Sequence, residues 1–207
     1  MPVPDIPAAA QRRRAAAMAG HKGDAVEALR LSGDSDAKVR ATAYGALARA
    51  GTLDADALLR GLRDASPIVR RRCAALAATN GERAVAEELV ARLRDHDHFV
   101  VETAAWACGE WSRENPRLDD TLAALIKMTA EHGEPLCREA AVAALGAIGD
   151  ERGLDAILLA CRDKPAIRRR AVLALAPFDG DAVEAAIDHA LKDRDWQVRQ
   201  AAEDLRR

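Results

Sequence analysis

The sequence of 207 residues predicts an all-α solenoid of stacked helical hairpins, and three observations support this fold class. A short pattern recurs six times: a turn, an apolar residue, usually an Arg, and then an Ala-rich amphipathic stretch. Successive copies of the Arg position are 30, 31, 37, 30 and 31 residues apart, a period that is typical of stacked helical repeats. Apolar residues make up 49 % of the chain and aromatic residues only 3 %, which suits closely packed helices. The Arg position holds, in order, Arg40, Arg70, Val101, Arg138, Arg168 and Arg199.

Each copy of the pattern divides into two predicted helices, which we call helix A and helix B. Helix B begins after the turn, where an Asp or a Pro supplies the first-turn chemistry of a helix. In three repeats a glycine ends helix B, because glycine accepts the left-handed conformation at a helix end: Gly51, Gly81 and Gly149. Helix A carries apolar residues at intervals of three or four, as Leu58 and Leu62 do.

These patterns predict a single domain over residues 1–207. Its six A–B pairs are predicted at about 22–51, 52–81, 82–112, 117–149, 150–179 and 180–207. A lone B-type helix over 8–21 is predicted to cap the N-terminal end, because Arg12–Ala15 matches Arg168–Ala171. The polar C-terminal segment 200–207 has the character of a second cap.

The stretch Leu136–Asp150 (LCREAAVAALGAIGD) resembles helix B of a HEAT repeat, and in particular the short subtype named for phycobilin lyases. The resemblance extends over nearly the whole chain. It implies a right-handed α-α superhelix of about six hairpins plus an N-terminal half-repeat, with the B helices lining the concave face. HEAT arrays serve many roles, so the fold alone does not define a function.

The resemblance also implies a ladder in which an Asp of the inter-helix turn pairs with the Arg of helix B. Three repeats share a six-residue spacing between these two residues: Asp34–Arg40, Asp64–Arg70 and Asp193–Arg199. Asp95 has the same spacing to Val101, and His132 and Arg162 replace the Asp in repeats four and five. We therefore expect the ladder to be interrupted in the middle of the array.

The third repeat departs most from the pattern, since Phe99, Trp106 and Trp111 are half of the six Phe, Trp and Tyr residues. At about 100° per residue, Trp111 falls in an apolar slot of helix B that Ile148 fills in the next repeat, so Trp111 is predicted in the core. The predicted position of Trp106 is on the opposite side of the helix.

Glu102 and Glu110 lie on the same predicted stripe as Trp106. A Trp between carboxylates suits an Arg or Lys side chain of a partner, through cation–π contact and ion pairing. Arg71, Arg72 and Glu139 are predicted to flank this site. The alternative is a structural role, in which the Trp106 side chain packs on its small Ala neighbours and shields the contact between helices.

Two further features have alternative interpretations. His96 and His98 carry metal-capable groups, but a short cluster in a turn is a weak metal signal, and capping of helix B is the simpler interpretation. Three Arg triplets occur, and they either supply the ladder or form an edge for phosphate or an acidic peptide: Arg12–Arg14, Arg70–Arg72 and Arg168–Arg170. No cofactor is predicted.

The charge balance bears on the class of partner. The net charge is −2, with 31 basic and 33 acidic residues, which disfavours a general nucleic-acid binder. Four widely spaced cysteines without a CxxC are predicted to be reduced core thiols. No apolar run approaches ~18 residues, and no secretory signal is apparent, so a cytoplasmic protein without a membrane span is expected.

The sequence therefore predicts a non-catalytic protein–protein interaction scaffold, whose partner is a protein or peptide with a basic element. The alternative is an enzyme of HEAT-like fold. A DNA glycosylase would use a concave aromatic residue with a carboxylate, such as Trp106 with Glu102 or Glu110. A bilin lyase or a metal-dependent hydroxylase is less favoured, because the sequence contains no His-Glu dipeptide of the kind that binds di-iron in deoxyhypusine hydroxylase.

Overall fold

The chain is helical throughout the part that the computed structural model describes, which is residues 8–79, 83–111 and 115–207. These residues form thirteen α-helices and one short 3-10 helix, and they contain no β-strand. The α-helices are α1 (Ala8–Lys22), α2 (Ala25–Leu31), α3 (Ala37–Arg49), α4 (Ala55–Leu62), α5 (Pro67–Ala77), α6 (Arg83–Arg92), α7 (His98–Glu110), α8 (Leu118–Glu131), α9 (Pro135–Ile148), α10 (Leu154–Ala160), α11 (Pro165–Ala174), α12 (Asp181–Ala190) and α13 (Trp196–Leu205). The 3-10 helix, Glu151–Gly153, precedes α10.

The helices stack in two layers. The odd-numbered helices are the B helices, and each packs against the next one from α1 to α13. The even-numbered helices are the A helices, and each packs against the B helix that follows it. Helix α1 lies where the capping helix was predicted and packs on α3. A large apolar cluster of small and branched side chains lies between the layers, and a second, smaller one lies at the N-terminal end: Ala16, Leu31, Val39 and Ala43.

Small residues allow the B helices to approach one another closely. A Cβ atom added to Gly109 of α7 would lie 3.0 Å from the Cα atom of Ala144 in α9. At Gly146 of α9 it would lie 2.6 Å from the Cβ atom of Ala174 in α11. A larger side chain at either glycine would force these helices apart.

Helix ends follow the predicted chemistry. Asp97 caps α7, because its carboxylate accepts hydrogen bonds from the backbone N–H groups of Phe99 and Val100 at 3.0 and 3.2 Å. Gly51 and Gly149 have positive φ angles of 68° and 64°, which confirms them as helix-ending glycines. The predicted stop at Gly81 lies outside the described residues.

The long third step of 37 residues includes the connection between α7 and α8, of which residues 112–114 lie outside the described part. The structure shows that an A helix is also lengthened. Helix α8 has 14 residues, whereas the other A helices have seven to ten. Buried Asn115 holds the start of this segment, because its side-chain amide donates to the Thr121 hydroxyl at 2.9 Å.

Trp111 lies in the core, as the helix register predicts. Trp111 is only 8 % exposed, and its Nε1 donates a hydrogen bond to the carbonyl oxygen of Ala77 at 3.0 Å.

Three of the four cysteines are buried, Cys161 is half-buried, and all four are free thiols. Burial raises the pKa of Cys137 and of Cys161 to about 11, so both thiols stay protonated at neutral pH.

An arginine–aspartate ladder connects consecutive repeats. Arg40 of α3 binds the carboxylate of Asp64 through Nε and Nη2, at 2.8 and 2.7 Å. Its third nitrogen, Nη1, donates to the carbonyl oxygen of Asp34 in its own turn at 2.8 Å. The ladder, as we use the term, consists of the pairs Arg12–Asp34, Arg40–Asp64, Arg70–Asp95, Arg138–Asp163 and Arg168–Asp193.

This geometry corrects the pairing inferred from the six-residue spacing. The helix B Arg contacts only backbone carbonyl oxygens in the turn before its own helix, as Arg199 does with Asp193 at 2.7 Å. The carboxylate that a ladder Arg binds comes from the turn of the next repeat. Asp95 therefore has a partner, Arg70, although Val101 follows it. In the fifth repeat Asp163, rather than Arg162, takes the Asp position.

One junction lacks a rung among the described residues. The helix B position is Val101, which is 1 % exposed, and the matching turn position of the next repeat is His132. Both partners of that rung are therefore replaced together. The His132 carbonyl oxygen still accepts a hydrogen bond from Arg138 at 2.8 Å, so the backbone half of the motif persists.

The ladder keeps its aspartates charged. Hydrogen bonds from Arg138 and Arg168 lower the pKa of Asp163 and of Asp193. Burial opposes ionisation of Asp64, but its hydrogen bonds with Arg40 and with the backbone N–H of Ser66 leave its pKa below the ordinary value. The ladder carboxylates therefore favour the folded state when they are ionised.

We expect the Asp64→Asn variant to lose about 2 kcal/mol of unfolding free energy. This value lies between the ~1 kcal/mol that an exposed ion pair contributes and the ~3–5 kcal/mol lost when a fully buried pair is broken. The side chains of Arg40 and Asp64 are 17 % and 12 % exposed, and the substitution leaves the guanidinium without its anion. Urea denaturation followed by circular dichroism measures the change. Asp56→Asn, at an exposed position of α4, is the control and should cost only a few tenths of a kcal/mol. Equal losses in the two variants would contradict a structural role for the ladder.

The same pair predicts the pH dependence of stability. A carboxylate with a lowered folded-state pKa contributes fully above its unfolded pKa of about 3.9, and its contribution disappears as the pH falls through the folded-state pKa. The stability difference between wild type and Asp64→Asn should thus be constant at neutral pH and shrink below about pH 4. Denaturation curves at stepped pH test this, and a difference that widens on acidification would show the opposite sign of linkage.

Candidate functional site

Trp106 stands out from the B-helix face of α7. Its side chain is 48 % exposed, whereas its chain neighbours Ala105 and Ala107 are fully buried. The equivalent positions hold Gly45, Ala75 and Ala143 in repeats one, two and four, and Leu173 and Asp204 in repeats five and six. A large aromatic side chain therefore projects from a position that is Ala in both adjacent repeats.

A groove with a volume of about 470 Å³ lies beside Trp106, between α7 and α9. The small residues of α9 form part of its surface, and the close approach of Gly109 to Ala144 brings the two helices together there. We call it the Trp106 groove, and its lining is Glu102, Trp106, Gly109, Glu110, Leu136, Glu139, Ala140, Ala143, Ala144, Ala147 and Arg170.

The charged lining of the groove is predominantly acidic. Three carboxylates face one guanidinium, that of Arg170, whose Nε lies 3.6 Å from Oε1 of Glu139. Glu102 lies 3.7 Å from the Arg71 guanidinium, a distance too long for a strong hydrogen bond. Glu110 is exposed and forms no ion pair with another residue of the described part. A cation that entered the groove would thus meet carboxylates with spare acceptor capacity.

Arg71 is held at the edge of the groove by contacts from α5 to α7. Its Nε donates to the Thr103 hydroxyl at 3.2 Å, and its guanidinium lies 5.3 Å from the centroid of the Phe99 ring. This cation–π geometry places Arg71 next to Glu102. Arg71 therefore limits the negative charge at one end of the groove.

The six residues predicted for partner binding do not all come together. Glu102, Trp106, Glu110 and Glu139 line the groove, and Arg71 reaches it through Glu102. Arg72 lies elsewhere on the B-helix face, over Gly45 of α3, where an added Cβ would overlap its guanidinium. Adjacent residues of one helix point about 100° apart, which explains the separation.

Leu136 and Arg170 line the groove but are not among the residues that the sequence predicts for partner binding. Leu136 is 39 % exposed and occupies the position just before the apolar–Arg pair. Ile68 and Phe99 hold the same repeat position and are 47 % and 44 % exposed. The recurrence of a large apolar residue there is the signal that could have identified this row, and the third Arg triplet could have identified Arg170.

The residues next to the candidate metal ligands His96 and His98 have structural roles. Asp95 accepts from Arg70 and from the backbone N–H of Asp97, and Asp97 caps α7. The ring of His98 packs on that of Phe99, with centroids 4.1 Å apart. Within the described residues, no three His, Cys, Asp or Glu side chains are grouped so that they could hold a metal ion.

A larger groove of about 740 Å³ lies on the A-helix side, between α6 and α8, at the junction that lacks a rung. Charges of both signs line it and neutralise one another, as in the 3.2 Å ion pair between Arg117 and Glu87. It therefore has no marked preference for one type of ligand. None of the described helices combines the length and the apolar character needed to cross a membrane.

The stacked A–B pairs and the ladder define the class as an α-helical repeat protein. The sequence profile of HEAT repeats matches residues 55–128 and 114–176, which together are more than half of the chain. The chain belongs to the HEAT-repeat family. No curated protein sequence matches it significantly.

Solved structures share the fold at low sequence identity. An engineered protein has a TM-score of 0.64 and 20 % identity, over 88 % of this chain and 96 % of its own. The complex of CpcE and CpcF of phycocyanin lyase from Nostoc sp. PCC7120 has a TM-score of 0.63 and 22 % identity, over 86 % of this chain and 74 % of that chain. Computationally designed armadillo repeat proteins for modular peptide recognition have a TM-score of 0.59 and 19 % identity, over 88 % and 97 %.

Exposed Trp106 of α7 and buried Trp111, the residue that caps the C-terminal end of this helix, give a direct stability test. We expect Trp106→Ala to lower the free energy of unfolding by less than about 1 kcal/mol, because the side chain fills no cavity in the core. Trp111→Ala should cost ~3–5 kcal/mol, since it empties a buried site and removes a hydrogen bond. Urea denaturation of both variants measures this. A loss at Trp106 as large as that at Trp111 would instead support a packing role for Trp106.

Proposed function

We propose that the protein is a non-catalytic scaffold that binds a protein partner on its B-helix face, with the Trp106 groove as the central contact. The observation that carries this proposal is a half-exposed Trp between carboxylates, beside a groove lined by several Ala and Gly residues. Tryptophans in such positions are frequent anchors of protein interfaces. The likeness to designed armadillo proteins for modular peptide recognition, and to the two-protein complex of CpcE and CpcF, supports a protein partner in general terms.

The chemistry of the groove favours an Arg or Lys side chain of the partner. The face of the Trp106 ring attracts a cation, and the effect increases when the cation is desolvated. Glu110 offers an unpaired carboxylate within the described residues, and Glu102 and Glu139 have only loose ion pairs. An incoming guanidinium can form shorter, charge-assisted hydrogen bonds with these carboxylates than Arg71 and Arg170 do.

The same charges disfavour a DNA glycosylase. A glycosylase built around Trp106 needs cations to hold the phosphates that flank the base, since phosphate contacts dominate nucleic-acid affinity. Glu102, Glu110 and Glu139 surround the tryptophan instead. A salt-dependent titration with a DNA duplex discriminates the two functions, because tight binding that involves Trp106 would favour the enzyme.

The test compares wild type, Trp106→Ala and the matched control Trp196→Ala. Trp196 is 65 % exposed at the start of α13, outside the groove, so its removal changes exposed aromatic area without changing the site. Each protein serves as bait in a lysate, and the captured partner is then titrated by calorimetry. We expect Trp106→Ala to bind at least tenfold more weakly and Trp196→Ala to bind as wild type does.

The acidic contribution is measured with the same partner. Glu102→Gln combined with Glu110→Gln should weaken binding and reduce its salt dependence, because two attractive charges are removed without loss of shape. Unchanged binding by Trp106→Ala, with the fold intact, would contradict the proposed anchor. Tighter binding by the double Gln variant would contradict a basic ligand.

A further inference from the structure

A second, oppositely charged surface lies on the B-helix face near the N-terminal end of the array. Arg13 of α1, Lys38 and Arg49 of α3, and Arg72 of α5 line a shallow depression of about 360 Å³. Ala41, Thr42 and Ile68 complete its lining, and none of these seven residues is acidic. We call it the basic depression.

The four cations have no anionic partner among the described residues, in contrast with their chain neighbours. Arg12, Arg40 and Arg70 of the same helices each bind a ladder aspartate. Arg13 comes one position after Arg12, and Arg72 comes two positions after Arg70. Because each position rotates the side chain by about 100° around the helix, Arg13 and Arg72 point to the B-helix face instead of the ladder. Gly45 lets the Arg72 side chain lie close against α3, so its guanidinium joins the cations of that helix. Four like charges on three adjacent helices create a strong local attraction for an anion.

We propose that the basic depression binds an acidic peptide segment of the partner that occupies the Trp106 groove. The inference rests on the proposed function, and it adds the charge pattern of the partner. The depression includes the exposed apolar side chain of Ile68, and Phe99 adds a second one on α7, the helix at which the groove begins. A nucleic-acid strand that followed the B-helix face from the depression would meet the carboxylates of α7 and α9, whereas a peptide can change its charge along its length.

The spacing of the helices sets the spacing of the peptide's charges. The depression centres on α3 and the groove begins at α7, which is two B helices further along. Packed helices are ~8–10 Å apart, so the two sites are about 16–20 Å apart. An extended peptide covers ~3.3 Å per residue. The partner should therefore carry its acidic block and its basic residue about five or six residues apart.

The probe is a fluorescein-labelled hexaglutamate peptide, titrated by fluorescence anisotropy against the full chain. Arg13, Lys38 and Arg72 are replaced together by Gln, and the matched control replaces Arg60, Arg162 and Lys192 by Gln. The control residues are exposed cations in or next to A helices, so both triple variants lose three positive charges. We expect the depression variant to bind at least tenfold more weakly and the control to stay within twofold of wild type. Circular dichroism verifies that each variant is folded.

Three outcomes would overturn the inference: no binding of hexaglutamate by wild type, an equal loss in both triple variants, or tighter binding of a single-stranded oligonucleotide than of the peptide at the depression. Absent binding would show that the depression is not a site for acidic peptides. An equal loss would show that binding depends on net charge alone, and tighter oligonucleotide binding would show that the ligand is a nucleic acid.

The two proposals fail separately. Hexaglutamate has no basic or aromatic residue, so Trp106→Ala should bind it as wild type does. A second peptide, with an Arg five residues after the acidic block, should bind more tightly than hexaglutamate alone, and Trp106→Ala should remove the gain. Hexaglutamate binding without any such gain would count against the Trp106 groove while leaving the basic depression in place.

Discussion

The two-sided contact of the ladder arginines is the interaction on which the array depends. Nη1 of the planar guanidinium donates to a carbonyl oxygen of its own turn, and the edge formed by Nε and Nη2 donates to the carboxylate of the next turn, as Arg40 does with Asp34 and Asp64. A helical hairpin buries only one side by itself, so the array needs a fixed relation between neighbours. The planar fork of Arg fixes that relation in distance and in angle, which apolar packing between Ala-rich surfaces specifies less strictly. The arrangement of all exposed B-helix residues follows from this register.

The arginine triplets show how one sequence motif serves both structure and surface. The first Arg of each triplet belongs to the ladder: Arg12, Arg70 and Arg168. The later members turn towards the B-helix face, where Arg71 meets Glu102 and Arg170 meets Glu139. The two explanations that the sequence left open, a ladder and an edge for anions, therefore concern different residues of the same triplets.

The fold could be predicted from the sequence because helix periodicity, capping and glycine stops are local signals, and each appears in several repeats. The ladder was only half predictable, since the six-residue spacing reports the contact of Arg199 with its own turn and cannot reveal that carboxylates come from the next repeat. For the site, the register of α7 separated buried Trp111 from exposed Trp106. It could not show that Arg72 turns towards Gly45 or that Arg170 reaches the groove, because both depend on distances between helices.

The missing rung and the Trp106 groove occur at the same junction, and packing explains why. Between α7 and α9 the ladder residues are replaced by buried Val101 and by His132, so apolar contact must hold the junction. Gly109 permits that contact, because its missing side chain lets α7 approach Ala144. Helices that lie this close leave no room for large side chains between them, and a large residue on the seam must project outward. Trp106 does so. The close packing that small residues allow at this junction thus also supports the exposed aromatic side chain, which lies beside a surface of Ala and Gly.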